Sequence, residues 1–252
     1  MVMIAGHYHD KLQQADRPIY DDPHCQTARM KVLGEIPPDQ TFNGPEFPLH
    51  SLITNNQVTK VLLASKNGTT TGLDGIPYEI WKMLHSLHMN SIKLRRPSFN
   101  VIKCLRIVYN EIQTHRIDPT SHFSDRWMCP IYKKKDKTKI ENYRPITLLN
   151  TDYKIMMKTL VMQLTLQACT LLHPYQTGFV PMRSIFNPIR LAETMCEYAN
   201  YMEENGAIVA LDQEKAYDKI DHKYLLKTLK AFCLPNLFTK TVDSLYHHVT
   251  TQ

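Results

Sequence analysis

The stretch ALDQEKAYDKIDH, residues 210–222, places an aspartate at the end of an apolar run, an aromatic ring five residues later and a helical pattern behind it. Ala207 to Leu211 reads as a buried strand following a turn at Glu204-Asn205-Gly206, and His222 to Phe232 as a helix with Leu225, Leu229 and Phe232 on one face. A carboxylate at such a strand end is held at a sheet edge, where it can offer oxygens to Mg²⁺ with little loss of entropy. Asp212 and Asp218 equally fit plain capping of the turn or helix. Tyr217 equally fits a core aromatic of the strand-to-helix connection.

Upstream, the chain alternates helical patterns with turn signals. Leu52 to Ser65 has helical apolar spacing at Ile53, Val58, Val61, Leu62 and Leu63, closed by Asn67-Gly68 and followed by the loop TTTGLDG. Ile76-Pro77 opens a second helix with an apolar face at Ile80, Trp81, Met83, Leu84 and Leu87, and the basic stretch IKLRRP interrupts it. Phe99 to Thr114 is a third helix. RWMCPIY and NYRPITLL then read as two strands of a hairpin whose tip is the lysine-rich KKKDKTK. Tyr153 to Leu172 and Asn187 to Met202 return to helix, separated by loops containing QTGF and PMRS. Pro37-Pro38, Pro45 and Pro48 break up the first fifty residues, which read as an irregular, partly disordered arm.

Composition narrows the class. With 252 residues and 43% hydrophobic content, the chain supports one large or two small packed domains. A formal charge of +6 favours polyanionic partners without naming one. The six cysteines lack CxxC or CxxH spacing and read as free thiols in a reducing compartment. His7 and His9 lie in a polar terminal stretch without periodicity, which reads as a frayed end rather than a metal site. No run approaches the ~18 apolar residues of a membrane-spanning helix, and no leader is legible, so a cytoplasmic or nuclear protein without membrane contact is expected.

Four blocks in order carry a family resemblance: TGLDGIPYEIWKML, WMCPIYKKKDKTKIENYRPITLLNTDYKI, HPYQTGFVPMRSI and ALDQEKAYDKIDH. Together, over about residues 65–250, they resemble the reverse transcriptase of non-LTR, LINE-type retrotransposons. The wordings KKKD and NYRPITLLNTDYKI look like those of fungal elements.

The resemblance implies an RNA-directed DNA polymerase using an RNA template, a DNA primer and deoxynucleoside triphosphates. In that family two Mg²⁺ ions stabilise the attacking and leaving oxygens of phosphoryl transfer. By position, Asp212 is the catalytic metal ligand, the carbonyl of Gln213 a further ligand, and Tyr217 the steric gate against a ribose 2′-hydroxyl. Arg144 falls on the arginine that reaches the triphosphate, where a guanidinium fork suits phosphate oxygens. Among Lys133, Lys134, Lys135, Lys137 and Lys139, either Lys133 or Lys135 takes the phosphate-contacting role. Gly72, Asp74 and Gly75 match a loop that approaches the template backbone, where glycine permits close approach as it would in a simple tight turn. Gln176, Gly178, Phe179 and Arg183 match the next template-side motif. There the family's PGRS is written PMRS, so Met182 would carry a positive φ if the glycine required one.

No glycine-rich motif and no YxDD-type pair of aspartates follows the Asp212 block in these 252 residues. A fragment is therefore expected, inactive on its own: an arm over residues 1–50, fingers over 51–200 and the start of a palm over 201–252. The fold class expected is α+β, helix-rich fingers with a β-hairpin plus the first strand and helix of a right-hand palm. The alternatives are a non-catalytic RNA- or DNA-binding remnant, holding phosphates through the hairpin and Lys93, Arg95 and Arg96, and a degenerate reading frame.

Overall fold

Capping decides where the helices begin. In the computed structural model, which describes residues 7, 8, 11, 22–44, 48–203, 205–213, 216, 217 and 219–247, helix α1 spans Pro23–Gly34 and Asp22 accepts the His24 amide at 2.8 Å. Helix α2, Asn55–Ala64, opens on a reciprocal capping box between Thr54 and Gln57. Helix α3, Tyr78–Lys93, follows Pro77, whose lack of an N–H costs nothing at a helix start. Helix α4, Val101–His115, is capped by Asn100, which accepts the Lys103 amide at 2.9 Å. Helices α5, Thr151–Leu171, and α6, Phe186–Tyr201, come next. Helix α7, His222–Ala231, is capped by Asp221 through the Tyr224 amide at 2.7 Å, and helix α8 is Asn236–Tyr246. The cap of α7 is thus not Asp212, and Asp218, the other candidate, lies outside the described residues, as does His9.

The buried core lies where α2, α4, α5 and α8 meet. Val58 and Leu62 of α2, Val101 and Tyr109 of α4, Ile155 and Met156 of α5, and Leu245 of α8 are almost fully removed from solvent. Each such side chain contributes about 1.5–3 kcal/mol by leaving water. Polar groups inside are paired across long stretches of sequence: Gln113 accepts the Ile53 amide at 3.1 Å, and Ser244 accepts the Ile117 amide at 2.8 Å. The Tyr109 hydroxyl donates to the Asp152 carbonyl at 2.8 Å, and burial raises its pKa well above the ordinary phenol value.

Strands β1, Arg126–Tyr132, and β2, Tyr143–Leu149, form an antiparallel pair, the one sheet among the described residues. The class is therefore α+β and strongly helical, as the sequence predicts. Pro130 stands opposite Pro145 in the register. Neither has an amide to donate, which a two-stranded ribbon tolerates because both strands are edges.

Two sequence-based expectations change. Ala207 to Leu211 is exposed and lies in no strand, with Leu211 92% accessible. An apolar run becomes a strand only when a neighbour takes its amides and carbonyls, and no described segment does so here. Within the arm expected to be irregular, α1 is a regular helix packed against α7. Beyond it Phe42 and Leu49 join the core, and the Phe42 amide donates to the Phe232 carbonyl at 2.9 Å. The six cysteines are all free. No helix of the described residues is long and apolar enough to cross a membrane.

Candidate nucleic-acid and nucleotide interface

The hairpin register sorts the basic residues. Side chains alternate between the two faces of a strand, so residues paired across the ribbon share a face. Arg144 pairs with Ile131 and Tyr143 with Tyr132, while the Lys133 amide donates to the Asn142 carbonyl at 2.9 Å. Lys133 therefore falls on the Arg144 face, which also carries the exposed Trp127, Ile131 and Ile146. Arg144 is itself exposed, and its place in the ladder leaves the guanidinium on that open face. Tyr132 and Tyr143 occupy the other face, with ring centroids 5.6 Å apart.

The tip beyond Lys133 is a built turn. The Tyr132 hydroxyl donates to the Lys135 carbonyl at 2.7 Å, and the Tyr143 hydroxyl to the Lys137 carbonyl at 2.9 Å. Asp136 accepts from the Thr138 amide and hydroxyl, and these two bonds hold its carboxyl below the usual carboxylate range. Lys135 turns the chain at φ 72°, and the Lys137 ammonium lies 5.3 Å from the Tyr132 ring centroid.

The TTTGLDG loop is fastened to the start of α5. Gly72 is buried against Leu149 and Asn150, so closely that a β-carbon would meet the Asn150 amide oxygen and the Leu149 carbonyl carbon. Contact within the protein thus accounts for this glycine without any approach of nucleic acid. Gly75 answers a different demand, a turn at φ +67° with open space around it. Asp74 accepts the Ile76 amide at 3.0 Å while its own amide donates to the Asn150 side chain at 3.3 Å. Lys154 donates to the Thr70 carbonyl at 2.8 Å; desolvation first, then the neighbouring Lys158 ammonium, holds its pKa below the ordinary lysine value. Asn150 and Lys154 were not singled out by sequence, although both stand in the block NTDYKI, where a polar residue just before a helix is the available signal.

Between α5 and α6, Arg183 is not directed at solvent. Its Nη1 donates to the carbonyls of His173 and Gln176 at 2.6 and 2.7 Å, and its Nη2 to those of Cys169 and Leu172 at 3.0 and 2.9 Å. Phe179 and Met182, each 99% accessible, project from the loop so fastened, both with left-handed backbone at φ 60° and 63°. Gly178 has neither a positive φ nor a close neighbour that would demand glycine.

Asp212 and Gln213 lie in exposed chain after the unpaired Ala207–Leu211 segment, and Tyr217 is 81% accessible in a turn. The described residues contain no group of three or more His, Cys, Asp or Glu side chains able to hold a metal ion. One exposed carboxylate does not make a Mg²⁺ site, so the residues placed here do not by themselves fit the ion.

Comparison with known proteins bears on these geometries. Residues 132–252 match the family described as reverse transcriptase (RNA-dependent DNA polymerase). Over 198 residues the chain is 28% identical to the Transposon TX1 uncharacterized 149 kDa protein of Xenopus laevis, a match that covers 79% of this chain and 14% of that protein. The chain therefore spans a small part of this relative, and a relative from Xenopus laevis lends no support to the fungal likeness of the wording. The hairpin's second strand, the loop held by Arg183 and the Asp212 segment all fall within the matched residues, so this part of the chain is a reverse transcriptase domain of the retrotransposon kind.

Proposed function

We propose that the chain supplies the fingers and the first catalytic aspartate of an RNA-directed DNA polymerase that copies RNA from a DNA primer, in cytoplasm or nucleus. In this reading residues 51–200 are the fingers, residues 201–252 open the palm, and residues 1–50 are an accessory arm. The primer 3′-hydroxyl oxygen bonds to the α-phosphorus of a deoxynucleoside triphosphate, and the bond to the pyrophosphate oxygen breaks.

The hairpin register carries the proposal: Lys133 and Arg144 share one exposed face beside Trp127, Ile131 and Ile146. Two cations and an apolar surface on one face suit a triphosphate joined to a base. Between the two lysines left open by sequence, this favours Lys133 over Lys135. Tyr217 is assigned to sugar selection, and the loops of Asp74 and Gly75 and of Gln176, Gly178 and Phe179 to the template.

Mg²⁺ belongs to this proposal as the ion that the reaction uses, with the Asp212 carboxylate and the Gln213 carbonyl as its candidate ligands in this chain. A single side-chain carboxylate leaves the ion's coordination incomplete, and further oxygen ligands would be needed to complete it.

Primer extension on an RNA template tests the reading, comparing residues 1–252, the same residues joined to their natural downstream sequence, and the joined form carrying Asp212→Ala. Synthesis by the joined form, abolished by Asp212→Ala and absent from residues 1–252, is expected. Synthesis that survives Asp212→Ala would remove Asp212 from the reaction. RNA binding without synthesis by either form would favour a non-catalytic binding remnant instead.

A further inference from the structure

We infer that Arg183 is a positioning residue, a staple that holds the loop of residues 172–183 on the end of α5 so that Phe179 is presented to nucleic acid, and that it makes no phosphate contact itself. The inference rests on the template-side reading proposed above for this loop, and it assigns Arg183 a different task from the one its sequence motif suggests.

The donor inventory carries it. A guanidinium has five N–H groups, four of them on the two Nη atoms. Four backbone carbonyls, those of Cys169, Leu172, His173 and Gln176, accept from these atoms at 2.6–3.0 Å. That leaves only Nε–H, which cannot form the two-pronged contact that makes arginine effective on phosphate. The carbonyls of Cys169 and Leu172 belong to the end of α5, where the last turn leaves carbonyls without helical partners and where a cation is favoured. Charge and hydrogen bonding therefore both retain the guanidinium at this place.

The rest of the loop is built around the staple. Val180 is buried, Cys169 Sγ donates to the Pro181 carbonyl at 3.5 Å, and the Arg183 amide donates to the Val180 carbonyl at 3.3 Å. Phe179 and Met182 flank this anchor, both fully accessible and both in left-handed conformations. A large apolar ring held out in water on a fixed backbone suits stacking on an unpaired base, because the loop need not be ordered on binding.

Hydrogen exchange and RNA binding separate the two roles. The whole chain is compared with Arg183→Ala, Arg183→Lys and Phe179→Ala, using a fluorescein-labelled single-stranded RNA over a range of salt concentrations. A staple predicts exchange at the Gln176 and Arg183 amides faster by about tenfold or more in both Arg183 variants, since one ammonium cannot serve four diverging carbonyls. RNA affinity falls several-fold in both Arg183 variants and in Phe179→Ala, with the slope of log affinity against log salt unchanged. Phe179→Ala leaves exchange unaltered. A phosphate contact predicts the reverse: a slope reduced by about one in Arg183→Ala and binding largely restored by Arg183→Lys. That result, or unchanged exchange in Arg183→Ala, overturns the inference. Failure of the unsubstituted chain to bind RNA overturns the template-side reading alone, because the exchange comparison still decides whether Arg183 staples the loop.

Discussion

Gly72 lies so close to Asn150 that any side chain at residue 72 must displace the backbone at Leu149–Asn150, whose carbonyl carbon at Leu149 would stand 2.6 Å from a β-carbon. The first motif and the start of α5, separated by more than seventy residues in sequence, are in this way one structural unit. Gly72→Ala is expected to cost about 1–3 kcal/mol through overpacking against backbone. Gly75→Asn, at φ +67° with nothing near it, is expected to cost little, because asparagine enters the left-handed region readily. Thermal melts of the two variants check this, and equal losses at both positions would refute the distinction.

Met182 presents the opposite case, a large side chain where the backbone favours none. It sits at φ 63° and its side chain touches almost nothing. Met182→Gly removes left-handed strain of roughly 1–2 kcal/mol but adds freedom to the unfolded chain. A net gain of about 0.5–1 kcal/mol is expected from these opposing terms. Urea denaturation measures it, and a variant less stable than the parent would mean that Met182 makes a contact worth more than the strain.

Asp152 gives the fold a pH dependence. Burial, as the largest cause, raises its carboxyl above the ordinary 3.8, with a further push from Asp74 and opposition from the Tyr153 amide that it accepts at 2.7 Å. A folded-state pKa above the unfolded one means that its contribution to stability is complete below the unfolded value and lost as pH rises through the folded value. Asp152→Asn keeps an acceptor for the Tyr153 amide and removes the buried charge. Its melting temperature is expected to exceed the parent's at pH 7, with the difference closing as pH falls toward 3.8. A difference independent of pH would point to packing rather than charge.

The hairpin faces make a prediction about nucleotide use. In a polymerase built on this domain, Lys133→Ala and Arg144→Ala are each expected to raise KM for the deoxynucleoside triphosphate about tenfold or more, consistent with losing one charge-assisted contact of about 1.5–3 kcal/mol. Lys135→Ala should change KM by less than about twofold, since its backbone turns the tip at φ 72° and its carbonyl is held by Tyr132. Steady-state kinetics on a fixed RNA template decides between the two lysines, and a larger effect at Lys135 would overturn the assignment by register.

By itself the sequence determined what depends on near neighbours. The helical patterns expected from Leu52, Pro77 and Phe99 begin at Asn55, Tyr78 and Val101, within three residues, because the periodicity and the caps that set these starts act over three or four residues of chain. The hairpin is legible for the same reason, its strands being joined by a short basic turn. The tertiary structure alone decided whatever depends on a distant partner. Ala207–Leu211 has the composition of a strand, yet pairing belongs to the neighbour as much as to the segment, and no described neighbour is present. Arg183 in PMRS reads as template-side by its motif, but where its donors point was set by carbonyls seven to fourteen residues away. A glycine's purpose, finally, is what approaches it: at Gly72 that is Asn150, brought there by the packing of α2, α4 and α5 rather than by anything written beside it.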